Sequence, residues 1–250
     1  MTTNNYDEFQ ETGSPLATPR RALTIGAHPD DAEFGAGATL ARWAEDGCEI
    51  TMLIVTDGSK GSWNPDENRS ELIERRKGEQ SEAARTLGVR TIVHLDEVDG
   101  ELEYSSQLRR DLALQIRLHK PDVVLTHDPW QRYQLHPDHR ATGLAAVDGV
   151  VSAREPLALS DTDTDAHRPS TVLLWSADEP DHFELVHEKW FDVKLAALLC
   201  HSSQAITSMG DATDSDTKRQ EFVQRLHQWH DKSGVVLGTG PAETFKRLTP

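Results

Sequence analysis

Short apolar runs rich in β-branched residues, at 22–27, 49–56, 89–95, 122–126 and 171–176, alternate with stretches of helical periodicity at 36–45, 69–87, 107–119 and from His136 to about residue 153. Each run is bounded by Gly, Pro or Asp. Strands joined by helical crossovers pair in parallel, so the pattern predicts an α/β fold with a mostly parallel sheet and helices on both faces. A β-rich stretch, "HFELVHEKWFDV", and helices at 193–206 and 217–231 complete the same domain, 21–250, behind a mobile N-terminal tail of residues 1–20. The polar, acidic segments 160–170 and 208–218 read as solvated loops.

In an open parallel sheet, ligands bind outside the carboxyl ends of the strands. Polar residues gather at those ends here: "HPDD" after the first strand, "DGSKGSW" after the second, "DEVDGE" after the third and "HDPWQRYQLHPDH" after the fourth. His28 and Asp31 lie three positions apart, so a first helical turn would point both side chains to one side, while Asp30 points elsewhere. Pro29 suits the opening of such a turn. One imidazole and one carboxylate are two ligands suited to zinc or a similar divalent ion.

A catalytic zinc usually takes three protein ligands and keeps a position for water. The segment "LHPDHR" repeats the device: His136 and His139 are again three apart. Either histidine completes a site of two His and one Asp, leaving the other for proton transfer. Asp30 is placed to take a proton from the activated water, and the remaining histidine to donate to an oxyanion or a leaving amine. The ensemble describes metal-assisted hydrolysis of an amide or similar acyl bond.

Charge narrows the partners. Acidic residues outnumber basic ones 42 to 26, a net charge of −16, so a phosphate backbone or an anionic membrane face is repelled and no nucleic-acid partner is expected. Cys48 and Cys200 are both set in apolar or helical segments and read as core residues in a reducing, cytoplasmic setting. No apolar run is long enough to span a bilayer.

"AHPDDAEFGAGATLARWAEDGCEITMLIVTDG" followed by "HPDHRA" resembles the PIG-L/LmbE-like family of metal-dependent N-deacetylases, which includes enzymes acting on N-acetylglucosamine linked to phosphatidylinositol, inositol or malate. The resemblance runs from about residue 22 to 206 and takes in "RRKGEQSEAARTLGV", "PDVVLTHDP" and "KLAALLCHSSQ". It implies a Rossmann-like α/β fold and a zinc ion held by His28, Asp31 and His139. It also implies Asp30 as general base, His136 as the charged residue that stabilises the tetrahedral intermediate, and Asp138 as the carboxylate that orients a histidine. An arginine on the long second helix contacts the sugar in relatives, which points to Arg75 or Arg76, with Glu79 one turn on. Relatives are often oligomers, so a homo-oligomer is expected. Gln134 stands where mycothiol-type members carry tyrosine.

Further candidates sit in the loops. Asp128, at the end of the fourth strand beside His127, either bonds a sugar hydroxyl or caps a turn, and Trp63 and Trp130 either stack on a pyranose ring or anchor their loops. "GAGATLA" reads as small residues that let a helix approach the sheet, "HQWH" at 227–230 as an exposed helix face, and His201 has no assigned mechanism. The function expected is zinc-dependent removal of acetyl from an N-acetylglucosamine-type sugar. The alternatives are an amidase for another acylated amino sugar, such as a thiol conjugate or antibiotic, and a non-catalytic sugar-binding homologue.

Overall fold

Successive residues along a strand face opposite sides of a sheet, and the central strands of this chain are apolar on both sides. A computed structural model, which describes residues 13–250, forms them into one seven-stranded sheet. The elements are β1 (Arg21–Gly26), α1 (Asp31–Glu45), β2 (Glu49–Thr56), α2 (Arg69–Leu87), β3 (Thr91–Glu97), α3 (Ser106–His119), β4 (Val123–His127), α4 (Pro137–Arg154), β5 (Thr171–Trp175), β6 (His182–Leu185), α5 (Glu188–Cys200), a 3-10 turn at Ser202–Gln204, α6 (Ala205–Ser208), α7 (Asp216–Val236) and β7 (Ala242–Leu248). Leu23, Ile25, Val124, Val172 and Leu174 pack beneath α3 and α4; their alternates Ala22, Val123, Leu125, Leu173 and Trp175 pack beneath α1, α2 and α5. No helix among the described residues is long and apolar enough to cross a membrane.

The strand order is β3-β2-β1-β4-β5-β7-β6, with β1 to β5 parallel and β7 antiparallel to both β5 and β6. The chain winds outward from β1 in one direction and from β4 in the other, so the crevice at the switch in direction opens between the carboxyl ends of β1 and β4. "HPDD" follows the first of these strands and "HPDH" lies beyond the second.

Several elements depart from the expectation. The "HFELVHEKWFDV" stretch is strand only as far as Leu185 and becomes α5 at Glu188, because Phe191, Lys194, Ala197 and Leu198 recur at helical spacing on the buried side. Strand β7 was not anticipated. It has few apolar residues, and its buried Glu243 reads as a surface residue until its partners are seen. Helix α1 starts at Asp31 but breaks at Ala36 (φ −149°, ψ 16°), and Glu243 closes the break: its carboxylate accepts the Ala38 and Thr39 N–H groups at 3.0 and 2.8 Å. The fully buried Lys194 ammonium joins this group, bonding Glu243 at 2.6 Å and the Phe34 carbonyl at 2.8 Å. Of the segment expected as a mobile tail, residues 1–12 lie outside those described. Residues 13–20 are anchored: Leu16 packs on the core and donates its N–H to Glu184 at 2.9 Å, and Thr18 bonds Asp46 at 2.7 Å.

Helix α4 reaches its place because Gly143 has no side chain: a Cβ there would lie 2.6 Å from the His127 carbonyl oxygen at the end of β4. Gly143→Ala is expected to destabilise the protein by about 1–3 kcal/mol through overpacking, read as a lowered urea midpoint at unchanged m-value.

Candidate metal centre

Between β1 and α1 the chain closes a turn. The Asp31 N–H lies 3.4 Å from the His28 carbonyl, and Asp31 Oδ2 accepts the His28 N–H at 2.7 Å. His28 and Asp31 therefore meet across a turn ahead of α1 and not, as expected, on the first turn of a helix. Between them Asp30 adopts a left-handed backbone with φ +93°. That conformation costs an ordinary residue about 1–2 kcal/mol, and neighbours hold it. Gln80 Oε1 accepts the Asp30 N–H at 3.2 Å, Phe34 donates its N–H to the Asp30 carbonyl at 3.0 Å, and Arg76 Nη2 donates to the Pro29 carbonyl at 3.0 Å.

Helix α4 brings the second half of the site. His136 caps it and Pro137 occupies its first turn, so Asp138 and His139 are carried on its opening turn into the crevice. His139 Nε2 stands 3.2 Å from His28 Nδ1 and 3.3 Å from Asp31 Oδ1, and His28 Nδ1 stands 3.5 Å from Asp31 Oδ2. Zinc bonds at tetrahedral angles separate their ligand atoms by roughly 3.3 Å. Each pair is close to that spacing, with the two histidines contacting different oxygens of Asp31. His28 turns its other nitrogen, Nε2, to Asp138 Oδ2 at 3.1 Å and Asp99 Oδ1 at 3.2 Å, the outer contact that metal-binding histidines commonly make. The His136 ring lies 4.5 Å from that of His28 and stacks on His139 at 4.7 Å, centroid to centroid.

The electrostatics separate the two adjacent aspartates. Burial alone would raise both pKa values, but His139 and His127 outweigh it at Asp31 and hold that carboxyl well below the usual range. Asp30 is pushed up to about 6 by burial, against the nearby charges of Arg76 and His201. Its carboxylate has no hydrogen-bond partner among the described residues. Burial lowers His28, yet Asp138, Asp31 and Asp99 outweigh it and raise its pKa well above the usual value. Burial pushes His127 down to about 4. The Trp175 indole N–H donates to its Nδ1 at 3.0 Å, and its Nε2 lies 3.1 Å from Asp31 Oδ2 and 3.2 Å from the Ala27 backbone N–H.

These groups line a cavity of about 650 Å³, with Trp63, Arg76, Trp175, Gln204 and Trp229 among its walls. Of the candidates, His28, Asp30, Asp31, His136, His139, Trp63 and Arg76 meet there, and Asp138 stands behind His28. The others do not. Arg75 faces outward to Glu67 at 3.2 Å because it sits on the exposed side of α2, one residue from the buried Arg76. Asp128 caps its own turn, accepting the Trp130 N–H at 2.9 Å, and Trp130 is exposed beside it, outside the cavity. Glu79 holds the 3-10 turn through Ser202 and Ser203. "HQWH" is not an exposed face throughout: His230 is buried against Lys194, and Trp229 reaches the cavity.

Asp99, Gln80, Glu33, Trp175 and Trp229 were not singled out from the sequence. Asp99 was legible, since it ends "DEVD" at the carboxyl end of β3. Gln80, Glu33 and His201 form a buried polar group under Asp30, with Gln80 Nε2 bonding Glu33 at 2.6 Å and His201 Nε2 3.6 Å from Glu33. Helical residues of this kind leave no local signal. "GAGATLA" is a packing device, as expected: a Cβ on Gly35 would lie 2.6 Å from the Trp175 ring, and one on Gly37 2.8 Å from Lys194 Cγ. If His28 is oriented by Asp138, Asp138→Asn lowers zinc affinity about 10–100-fold in chelator competition, and His28→Ala abolishes stoichiometric uptake.

The comparisons with known proteins agree on one family. The PIG-L model, described as GlcNAc-PI de-N-acetylase, matches residues 23–150. Diacetylchitobiose deacetylase of Thermococcus kodakarensis is 33% identical over 213 residues, covering 80% of this chain and 79% of that protein. The 1D-myo-inositol 2-acetamido-2-deoxy-alpha-D-glucopyranoside deacetylase of Kineococcus radiotolerans is 34% identical over 173 residues, 54% of this chain and 48% of that protein. The solved structure of N,N'-diacetylchitobiose deacetylase from Pyrococcus horikoshii, complexed with its inhibitor MPG, superposes with a TM-score of 0.82 at 29% identity, covering 92% of this chain and 84% of that one. With the family model matched over half of its length and a relative 33% identical over 80% of it, the chain belongs to the PIG-L family of deacetylases.

Proposed function

We propose that this chain is a zinc-dependent hydrolase that removes the acetyl group from an N-acetylglucosamine-type sugar, releasing acetate and a free amine. The observation that carries the reading is that His139 Nε2 lies 3.2 Å from His28 Nδ1 and 3.3 Å from one Asp31 oxygen, while the other Asp31 oxygen lies 3.5 Å from His28 Nδ1, beside the buried carboxylate of Asp30. His28, Asp31 and His139 would hold the ion. A zinc ion there supplies Lewis-acid polarisation of the acyl oxygen and makes water more acidic.

The protein's own groups do the rest. Asp30 takes the proton of the attacking water, and its left-handed backbone, fixed by Gln80, turns it away from the ligand Asp31. His136 donates to the oxyanion of the tetrahedral intermediate. Burial first, then the charges of His28 and His139, hold its pKa below the ordinary value, and a neutral imidazole N–H is a sufficient donor to an oxyanion. As the C–N bond breaks, the proton that Asp30 took from the water passes to the leaving nitrogen, and the neutral amine departs. Arg76 anchors the loops at Gly58 and Pro29 and lines the cavity with Trp63, whose exposed indole offers a face to a pyranose ring. Sugar binding alone does not require Asp30, which sets this reading above that of a non-catalytic homologue. The free thiols Cys48 and Cys200 support a reducing, cytoplasmic setting.

Zinc-loaded protein is expected to release amine from a panel of N-acetylated amino sugars. Asp30→Asn should keep about one zinc per chain by metal analysis and lose roughly 10²–10⁴ in kcat; undiminished turnover would falsify the role of Asp30. Gln80→Leu should keep zinc and lower kcat on the order of 10²-fold, with KM little changed. An equal loss in metal content and turnover would instead make Gln80 a plain stability residue.

A further inference from the structure

The "HSSQ" turn that follows α5 takes no part in the chemistry derived above, yet its histidine is fully buried under Asp30. Neither ring nitrogen of His201 has a hydrogen-bond partner among the described residues. The carboxylate of Glu33, also fully buried, stands 3.6 Å from its Nε2. Glu33 Oε1 accepts Gln80 Nε2 at 2.6 Å, and Gln80 Oε1 accepts the Asp30 N–H at 3.2 Å. We infer that His201 and Glu33 are positioning residues: the pair holds the Gln80 amide in the one orientation that keeps Asp30 left-handed beside the metal centre. The inference rests on the reading of Asp30 as general base and specifies what fixes it from behind.

A side-chain amide donates at one end and accepts at the other. At its nitrogen end Gln80 meets only acceptors, the Glu33 carboxylate and, at 3.7 Å, Met52 Sδ; at its oxygen end it meets the Asp30 N–H. Turned over, the amide would set donor against donor and oxygen against carboxylate, so Glu33 fixes the direction of Gln80 as well as its place. A carboxylate buried this far is strongly destabilising without a counter-charge. His201 supplies it: burial lowers its pKa, but Glu33, Asp30 and Glu79 outweigh burial and raise it. The rest of the motif fastens the histidine. Ser202 and Ser203 bond Glu79 on α2, the neighbour of Gln80, and Gln204 Nε2 donates to the Gly61 carbonyl at 2.9 Å. Helix α1, helix α2 and the turn after α5 thus meet in one chain of contacts that ends at the Asp30 backbone.

The test is a set of single and double variants, each zinc-loaded, with zinc by metal analysis, folding by circular dichroism and amine release from N-acetylated amino sugars. Glu33→Leu should keep zinc and lower kcat at least about tenfold with KM little changed, and should add little to Gln80→Leu, because both break the same chain. Unchanged turnover, or a loss that only follows lost zinc, overturns the inference. His201→Leu leaves the Glu33 charge unpaired and should lower both the urea midpoint and kcat. Adding Glu33→Gln, which still accepts from Gln80 but carries no charge, should recover about half or more of each loss. A double variant worse than His201→Leu makes His201 a packing residue and overturns the inference; so does one that regains stability without turnover, which would place the His201 charge at Asp30 itself. A crystal structure of zinc-loaded Glu33→Leu reads the positioning without turnover. Asp30 is expected to leave the left-handed region there, and an Asp30 that stays near φ +93° overturns the inference whatever the turnover. If the parent protein releases no amine while Asp30 moves in this variant, the deacetylase reading fails and the positioning of Asp30 stands.

Discussion

The two nitrogens of the His28 imidazole organise the centre. Asp138 and Asp99 occupy one of them, and that fixes the other toward Asp31 and His139. Each partner arrives on a different connection: Asp31 opens α1, Asp99 follows β3, and Asp138 and His139 open α4. Carboxylates taken out of water are strongly destabilising unless cations and hydrogen-bond donors face them. Asp30, Asp31, Asp99 and Asp138 are all largely buried within one crevice, faced by His28, His127, His139, His201 and Arg76. A divalent cation held as proposed by His28, Asp31 and His139 would add to that compensation.

A second buried charge group fixes the wall of the cavity. Glu243 on β7 closes the break in α1, and Lys194 on α5 ties Glu243 to the carbonyl of Phe34. The first half of α1 carries Asp31, Phe34 and Gly35 to the cavity, and through this group its direction depends on a strand more than two hundred residues later. His230 completes the contact from α7, kept neutral because burial and the Lys194 charge push its pKa down to about 2. The same helix puts Trp229 in the wall that this cavity shares with a neighbouring one.

Much of the sheet was legible because a strand buried on both faces must be apolar throughout. β1, β2, β4 and β5 met that condition, whereas β3 at the edge is half-buried and carries His94 and Asp96. β7 did not, since its buried Glu243 is acceptable only with Lys194 and the broken end of α1 against it. For the same reason the start of α5 was misplaced: Trp190 and Phe191 favour strand locally, and only their burial with Lys194 and Ala197 makes them helical. His28, Asp30, Asp31, His136 and His139, named from two short motifs, line one cavity, because both motifs follow the carboxyl ends of strands flanking the switch in direction. Which of Arg75 and Arg76 faces inward was not legible, as neighbouring helical residues differ only in the side they present.

The sequence alone determined a mostly parallel sheet covered by helices on both faces, the edge at which polar residues gather and the residue types found there, since these follow from hydrophobic periodicity and from where polar residues interrupt it. Tertiary structure decided that His28 and Asp31 converge through a turn with Asp30 left-handed between them, that Asp128 caps a turn outside the cavity, and that Trp229 walls it. These outcomes depend on contacts between residues far apart in the chain, and no local pattern encodes the distance or the direction at which they meet.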